Sequence, residues 1–345
     1  MTTTSRPTER ELTEPVDLCR PDGTLNPEAV GWSRQPLHRT ALRRGLPVPN
    51  LRPGWGRSKR WEYWGVVTPT HVVGLTVSDL DYAGVSQLWV LDRRSGLVVD
   101  AAATSPFGAG TRMPESLGDG PARARSGGLR LEVAPTASGW RLRGQTPRVR
   151  LDLAVVRAPD DEAMCVVVPW DDRRFQYTVK HLALPVSGAI SVDGEVAAVG
   201  GPDAWAVLDH GRGRWPYAMT WNWGAGSGVV DGVRLGLQLG GRWTEGTGST
   251  ENALVVDGRV HKIHDELEWT YDRSDWLAPW RVRGPRVDVT FTPFHERVAV
   301  TNLGVVAGET HQCFGTWTGW AARDDGTRLD VDALTGWAEE AHNRW

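Results

Sequence analysis

From Arg60 onward, apolar and polar residues alternate with a period of two. Leu129, Leu131 and Val133 are interleaved with Arg130 and Glu132, and Val149, Leu151, Leu153 and Val155 repeat the pattern. Further runs are Leu235, Leu237 and Leu239, then Leu267, Trp269 and Tyr271, then Val287, Val289 and Phe291. Successive side chains of a strand point to opposite faces, so each run sets its apolar members on one face of a sheet. Turn sequences separate the runs: Ala158-Pro-Asp-Asp161, Asp193-Gly194, Asp257-Gly258 and Asp324-Asp-Gly326. The spacing yields about twenty strand candidates, as in sandwiches and barrels. Strands joined without intervening helices pair antiparallel, so the pattern predicts an all-β protein.

The two ends depart from this alternation. Pro15, Pro21, Pro27, Pro36, Pro47, Pro49 and Pro53 recur too often for a long helix, which makes residues 1–59 an extended arm with at most one short helix near His38–Arg44. Leu334, Trp337, Ala338 and Ala341 fall at helical spacing and predict a short closing helix over residues 334–345. Between the ends, the strand count exceeds one small barrel. Two antiparallel β-barrels or sandwiches in series fit the length, over residues 60–195 and 196–333, with the break near Pro185–Gly201.

Composition sharpens the picture at two points. Trp is 19 while Phe and Tyr are 5 each, and Gly is 40. Many glycines suit a many-turned β fold, and tryptophan fills cores or lines pockets for apolar ligands. The net charge of −3 gives no general argument for nucleic-acid binding. Cys19, Cys165 and Cys313 lie far apart and are odd in number, which suits a reducing cytoplasm. The N-terminus has no apolar run of the signal-peptide kind, and no stretch approaches the roughly 18 apolar residues of a membrane helix. A cytoplasmic protein without stable membrane insertion is expected.

The candidate chemistry lies between Ala204 and Tyr271. Trp205-Ala-Val-Leu-Asp-His-Gly-Arg-Gly-Arg-Trp-Pro-Tyr217 predicts a strand ending at Asp209 and His210, followed by a turn at Gly211, Gly213 and Pro216. The next strand sets Tyr217, Met219, Trp221 and Trp223 on one face. That arrangement places Asp209, His210, Arg212 and Arg214 at the rim of an aromatic surface. Gly240–Asn252 then forms a glycine-rich loop carrying Trp243, Glu245, Glu251 and Asn252, and a hairpin leads to His261 and Lys262. Asp209, Glu245 and Glu251 against tryptophan would hold protons, and His261 could act as base, so these four form the catalytic pool. Arg212, Arg214, Tyr217, Trp221, Trp223, Trp243 and Asn252 are the ligand-binding candidates. The same residues also read as structure: Asp209 with Arg212 or Arg214 as a turn-fixing ion pair, Trp221 and Trp223 as core, Glu251 and Asn252 as loop caps.

Other chemistries lack their settings. His261 and His264 differ by an odd number and project to opposite faces of a strand, so no metal site is expected. The glycine-rich loop lacks the Gly-Lys-Ser/Thr ending of a phosphate loop, and Ser249 lacks a nucleophile elbow. No cofactor is implied.

Glu11–Asp17, Leu25–Ser33, Asp79–Gly84, Gly211–Tyr217 and Trp243–Asn252 resemble, over essentially the whole chain, a bacterial family well represented in actinobacteria and catalogued as a domain of unknown function. More distantly, Leu208-Asp-His210 and Trp221-x-Trp223 are similar to the tandem lipocalin-like proteins that include carotenoid 1,2-hydratase. The resemblance implies two calycin-like barrels. In those hydratases an Asp protonates a double bond and a His assists water. It carries over Asp209 as the acid, with His210, Glu245 or His261 as its partner. Two readings stay open: an acid/base hydratase, isomerase or cyclase of an apolar unsaturated substrate such as an isoprenoid or lipid, or a non-catalytic carrier of such a molecule. Carbohydrate binding on tryptophan platforms is a weaker third. In each case the partner is a small molecule, apolar or amphipathic for the first two.

Overall fold

The structure, a computed structural model, describes residues 8–42, 56–302 and 307–345. The described residues contain 25 strands, the alternating runs among them, and the one helical element there is a 3-10 turn at Pro27–Ala29. Asp193-Gly194 and Asp257-Gly258 turn as the sequence predicts. Each pair has positive φ at both residues (50° and 91°; 48° and 83°), the left-handed geometry that matches strand twist in tight hairpins.

Two large antiparallel sheets result. The first runs, in spatial order, Val98–Pro106, Ala83–Asp92, His71–Asp79, Ser58–Val67, Trp205–Arg214, Phe175–Val192, Val149–Val156, Gly139–Gln145, Leu129–Thr136, Ala122–Ser126 and Thr111–Arg112. It curls until Val99 at one end packs in the same core as Ala122 and Ala124 at the other. The 18-residue Phe175–Val192 strand makes this possible through a bulge between His181 and Leu184, where Ala183 has φ 51°. The second sheet runs Arg259–Ile263, Asn252–Val256, Val233–Gly241, Ala218–Val230, Arg328–Arg344, Ala307–Ala322, Val287–Asn302, Trp280–Gly284 and Glu268–Thr270. Leu235, Leu237, Leu239, Trp280, Phe291 and Trp317 fill its concave side. Sheet membership changes between Arg214 and Ala218, and Pro185–Gly201 lies within the first sheet.

A third core joins the sheets. Tyr63, Trp89, Trp205 and Val207 of the first meet Trp223, Ala225, Phe314 and Trp337 of the second. Gly65 permits the approach: a Cβ there would lie 2.3 Å from the Trp337 ring. In the described part of the arm, Val16–Asp17 pairs with His38–Arg39 in a small separate sheet, and Trp32–Ser33 pairs with Val166 and Cys165 of the first sheet. His38–Arg39 is strand rather than the start of a helix, and residues 43 and 44 lie outside the described residues.

The C-terminal helix is corrected. Arg328–Arg344 is a 17-residue strand at the centre of the second sheet. Over residues 336–341 both its faces are buried, with Ala338 in the concave core and Trp337 against the first sheet. A strand covered on both sides loses its period of two, and its apolar positions happen to fall at helical spacing.

Candidate functional site

The Trp205–Arg214 strand sits between Ser58–Val67 and Phe175–Val192, and all ten of its residues are buried. Its side chains therefore divide between two covered faces. Asp209 faces the second sheet, whereas His210, Arg212 and Arg214 point away from it. Because the strand continues through Gly211 and Gly213, the expected turn is delayed to Trp215–Tyr217, and the acid is separated from both guanidinium groups. Arg212 donates to the Pro114, Glu115 and Trp61 carbonyls. Arg214 donates to the Gly23 and Leu42 carbonyls, which ties down the arm. His210 lies near Glu62 (3.7 Å) inside the first barrel, where burial drives the imidazole pKa well down.

Two cross-strand rows confront each other across the inter-sheet gap. The first is Lys180, Asp209, Tyr63, Thr76 and Gln87. The second is Trp223, Glu339, Gln312 and Arg297. Three contacts join them: Lys180 Nζ over the Trp223 ring (4.3 Å), Gln312 Nε2 to Tyr63 Oη (3.2 Å) and Arg297 to Gln87 Oε1 (2.5 Å). Beyond the rows the sheets part around a cavity of about 390 Å³. Such a volume suits a small organic ligand.

Trp61, Trp215, Trp221, Trp223, Trp243 and Trp345 contribute indole rings to its wall. Trp215 stacks on Trp243 (centroids 5.6 Å, 17° between planes), Trp221 on Trp345 (6.2 Å, 27°), and Trp61 meets Trp215 edge-on. Gly211 admits Trp61 across the strand, since a Cβ there would lie 2.2 Å from the Trp61 ring. Three of these indoles each hold one carboxylate. Trp61 Nε1 donates to Asp209 Oδ2 (3.0 Å), Trp243 Nε1 to Glu251 Oε1 (2.6 Å) and Trp221 Nε1 to Glu339 Oε1 (2.8 Å). Lys180 Nζ bridges Asp209 Oδ1 (3.0 Å) and Glu251 Oε2 (3.2 Å). Thr178 adds a hydroxyl donor to Asp209 (3.1 Å).

Burial sets the protonation of this cluster. It raises the Glu251 carboxyl against the pull of Lys180 and the Trp243 N–H. It pushes Glu339 up to about 7, although Trp221, Lys180 and Arg297 all favour the anion. Burial works against the Lys180 ammonium too, but Asp209 and Glu251 outweigh it and hold its pKa above the ordinary value. Asp209, Glu251, Glu339 and Lys180 are thus four buried ionisable groups gathered at one tryptophan-lined cavity.

Of the residues singled out in the sequence, Asp209, Glu251, Trp221, Trp223 and Trp243 line the cavity. Glu245 is exposed on its loop, and His261 bonds Asp324 on another side of the molecule. Tyr217 is exposed. Asn252 is buried as a cap, accepting from the Gly240 N–H and donating to the Asp265 carbonyl. Lys180, Glu339, Gln312, Arg297, Trp61 and Trp345 escaped the sequence reading. Lys180 lies in an apolar strand outside the Trp-rich segment, and Glu339 lies in the stretch read as helix. A buried charge within a long apolar run was the available signal for Lys180.

Two curled antiparallel sheets in tandem, with a pocket between them, define a lipocalin-like fold. The chain belongs to the family described as "Domain of unknown function (DUF2804)", whose model matches residues 9–345. A comparison with curated protein sequences returns no match. Among solved structures it is similar to a protein proposed to be AttH from Nitrosomonas europaea (TM-score 0.52, 16% identity, 82% of this chain and 92% of that one). It is similar to kievitone hydratase from Nectria haematococca (0.51, 10% identity, 87% and 94%) and to CghA with Sch210972 (0.50, 11%, 83% and 88%). At these identities the likeness is one of fold.

Proposed function

We propose that the chain is an acid/base enzyme, a hydratase, isomerase or cyclase, acting on a small apolar unsaturated molecule held between the two sheets. What carries this reading is the convergence of Asp209, Glu251, Glu339 and Lys180 on one tryptophan-lined cavity. Burying four ionisable groups is costly for a structure that needs only packing, and such clusters concentrate at functional sites. The apolar wall selects the ligand, and indole faces stabilise positive charge that develops when a double bond takes up a proton. A neighbour in fold, kievitone hydratase, is by name a hydratase, which supports this class of chemistry on such a scaffold.

The test is untargeted turnover of lipid and isoprenoid extracts by the purified protein in ¹⁸O-labelled water and in D₂O, read by mass spectrometry. Uptake of labelled water or solvent deuterium, lost in Asp209→Asn, is the expected result. Asp209→Asn turnover equal to wild type would remove Asp209 from the chemistry. The carrier reading has one observation in its favour: each of the three carboxyls already accepts from an indole N–H, and Lys180 pairs with Asp209 and Glu251. Native mass spectrometry that recovers a bound apolar molecule chemically unchanged after incubation would favour it.

A further inference from the structure

We propose that Glu339 is the proton donor of this cavity and Asp209 the acceptor, an assignment that rests on the enzyme reading above. The two carboxyl groups share the site but are held differently. Asp209 is surrounded by donors: Lys180 Nζ at 3.0 Å, Trp61 Nε1 at 3.0 Å and Thr178 Oγ1 at 3.1 Å, an arrangement in which it only accepts. Glu339 forms no ion pair within 4.0 Å among the described residues and receives one neutral donor on each oxygen, Trp221 Nε1 at 2.8 Å and Gln312 Nε2 at 3.0 Å. Each of its oxygens keeps a lone pair on which a proton can sit.

The Gln312 amide cannot turn to accept that proton. Arg297 donates to Gln312 Oε1 at 3.0 Å and is itself fixed by Gln87, so the amide presents its NH₂ side to both Glu339 and the Tyr63 hydroxyl. Gln87, Arg297 and Gln312 are positioning residues that keep Glu339 facing donors alone. The charged and titratable groups around it are Lys180, Arg297 and Asp209, with Tyr63 across the gap, its phenol pushed up to about 12 by burial. Burial holds Glu339 itself near neutrality, so the acid form is populated at cellular pH. A carboxyl bonded only by neutral donors, beside one paired with an ammonium, divides acid from base.

The step balances without a cofactor. The Glu339 O–H bond breaks as the π pair of a C=C bond takes its proton, forming a C–H bond and leaving a carbocation against the indole faces. In hydration, water adds to the cation through oxygen and loses a proton to Asp209. In isomerisation, Asp209 takes a proton from the neighbouring carbon and a new C=C bond forms; in cyclisation, the π pair of a second C=C bond first closes a C–C bond onto the cation, and Asp209 then takes the proton beside the new cation. Exchange with solvent then returns a proton to Glu339 and removes one from Asp209.

Side-chain ¹³C-carboxyl labelling of glutamate allows a direct test by NMR titration. Glu62, buried in the first barrel, is also pushed up to about 7, so two near-neutral signals are expected in the wild type. Glu62→Gln should delete one and Glu339→Gln the other, while Trp221→Phe, which removes a donor to the anion, should move the Glu339 midpoint upward. Turnover in D₂O should fall at least about a hundredfold in Glu339→Gln. A wild type that turns over substrate with Glu339→Gln equally active, or a Glu339 signal titrating at the ordinary carboxyl value, overturns the donor assignment and leaves the enzyme reading standing. No turnover by the wild type, despite a near-neutral Glu339, overturns both. Where Glu339→Gln fails to fold, Gln312→Leu serves instead, with the upward midpoint shift expected and an unmoved midpoint counting against the assignment.

Discussion

Replacing Lys180 with methionine should cost about 4 kcal/mol of stability at neutral pH, the range seen when one partner of a buried pair is removed. The ammonium is 5% exposed and serves two carboxylates at 3.0 and 3.2 Å while lying 4.3 Å from the Trp223 ring. Methionine keeps the stem's packing but leaves Asp209 and Glu251 facing each other without a cation. The magnitude reflects the two orphaned carboxylates rather than the loss of one attraction. Urea unfolding followed by tryptophan fluorescence and circular dichroism measures it. The pH dependence supplies a sign. Glu251 is already raised above its ordinary 4.5, and removal of Lys180 raises it further. For a raised carboxyl, the favourable contribution is complete below 4.5 and is lost as pH climbs through the folded-state value. The Lys180→Met deficit should therefore be small in mild acid and grow toward neutrality, and Lys180→Met/Glu251→Gln should recover about half of it. A variant as stable as wild type at neutral pH, or a deficit that deepens on acidification, would refute the buried bridge.

Gly211→Ala should destabilise by about 1–3 kcal/mol, because the new Cβ meets the Trp61 ring at 2.2 Å and Gln176 Nε2 at 2.5 Å; near-ultraviolet circular dichroism should show the displaced indole. Glu339 and Glu62, each raised to about 7, make the wild type lose stability as pH rises from about 4.5 through 7, by about 3 kcal/mol per group. Glu339→Gln should flatten its share of that slope in unfolding curves taken across the window, and an unchanged slope would contradict its burial as an acid. Arg214→Met should release the arm by removing its bonds to the Gly23 and Leu42 carbonyls, at about 2 kcal/mol. Limited proteolysis should then cut the arm faster while the sheets stay intact.

Much of the fold was legible because it is local. Period-two runs made strands, and Asp-Gly pairs made left-handed hairpin turns. Part of the site was legible as well. Trp221 and Trp223 share a face through strand geometry, and Trp243 and Glu251 travel together on one loop. Asp209 lines the cavity, but without the company expected for it: once Gly211 and Gly213 continued the strand, parity sent Arg212 and Arg214 to the other side. The C-terminal strand misled for a related reason, since burial on both faces erases the alternation by which a strand is recognised.

The sequence by itself determined which side chains share a face, where the chain turns, and that a tryptophan-rich segment carries buried acid. Only the tertiary structure decided which faces meet. Lys180 meets Asp209 on the neighbouring strand and Glu251 in the loop before Asn252–Val256 of the second sheet, and Glu339 enters the cavity because Arg328–Arg344 lies beside Ala218–Val230. Periodicity along a strand is a property of adjacent residues, whereas a pocket between sheets depends on strand order, register and the close approach that Gly65 and Gly211 permit.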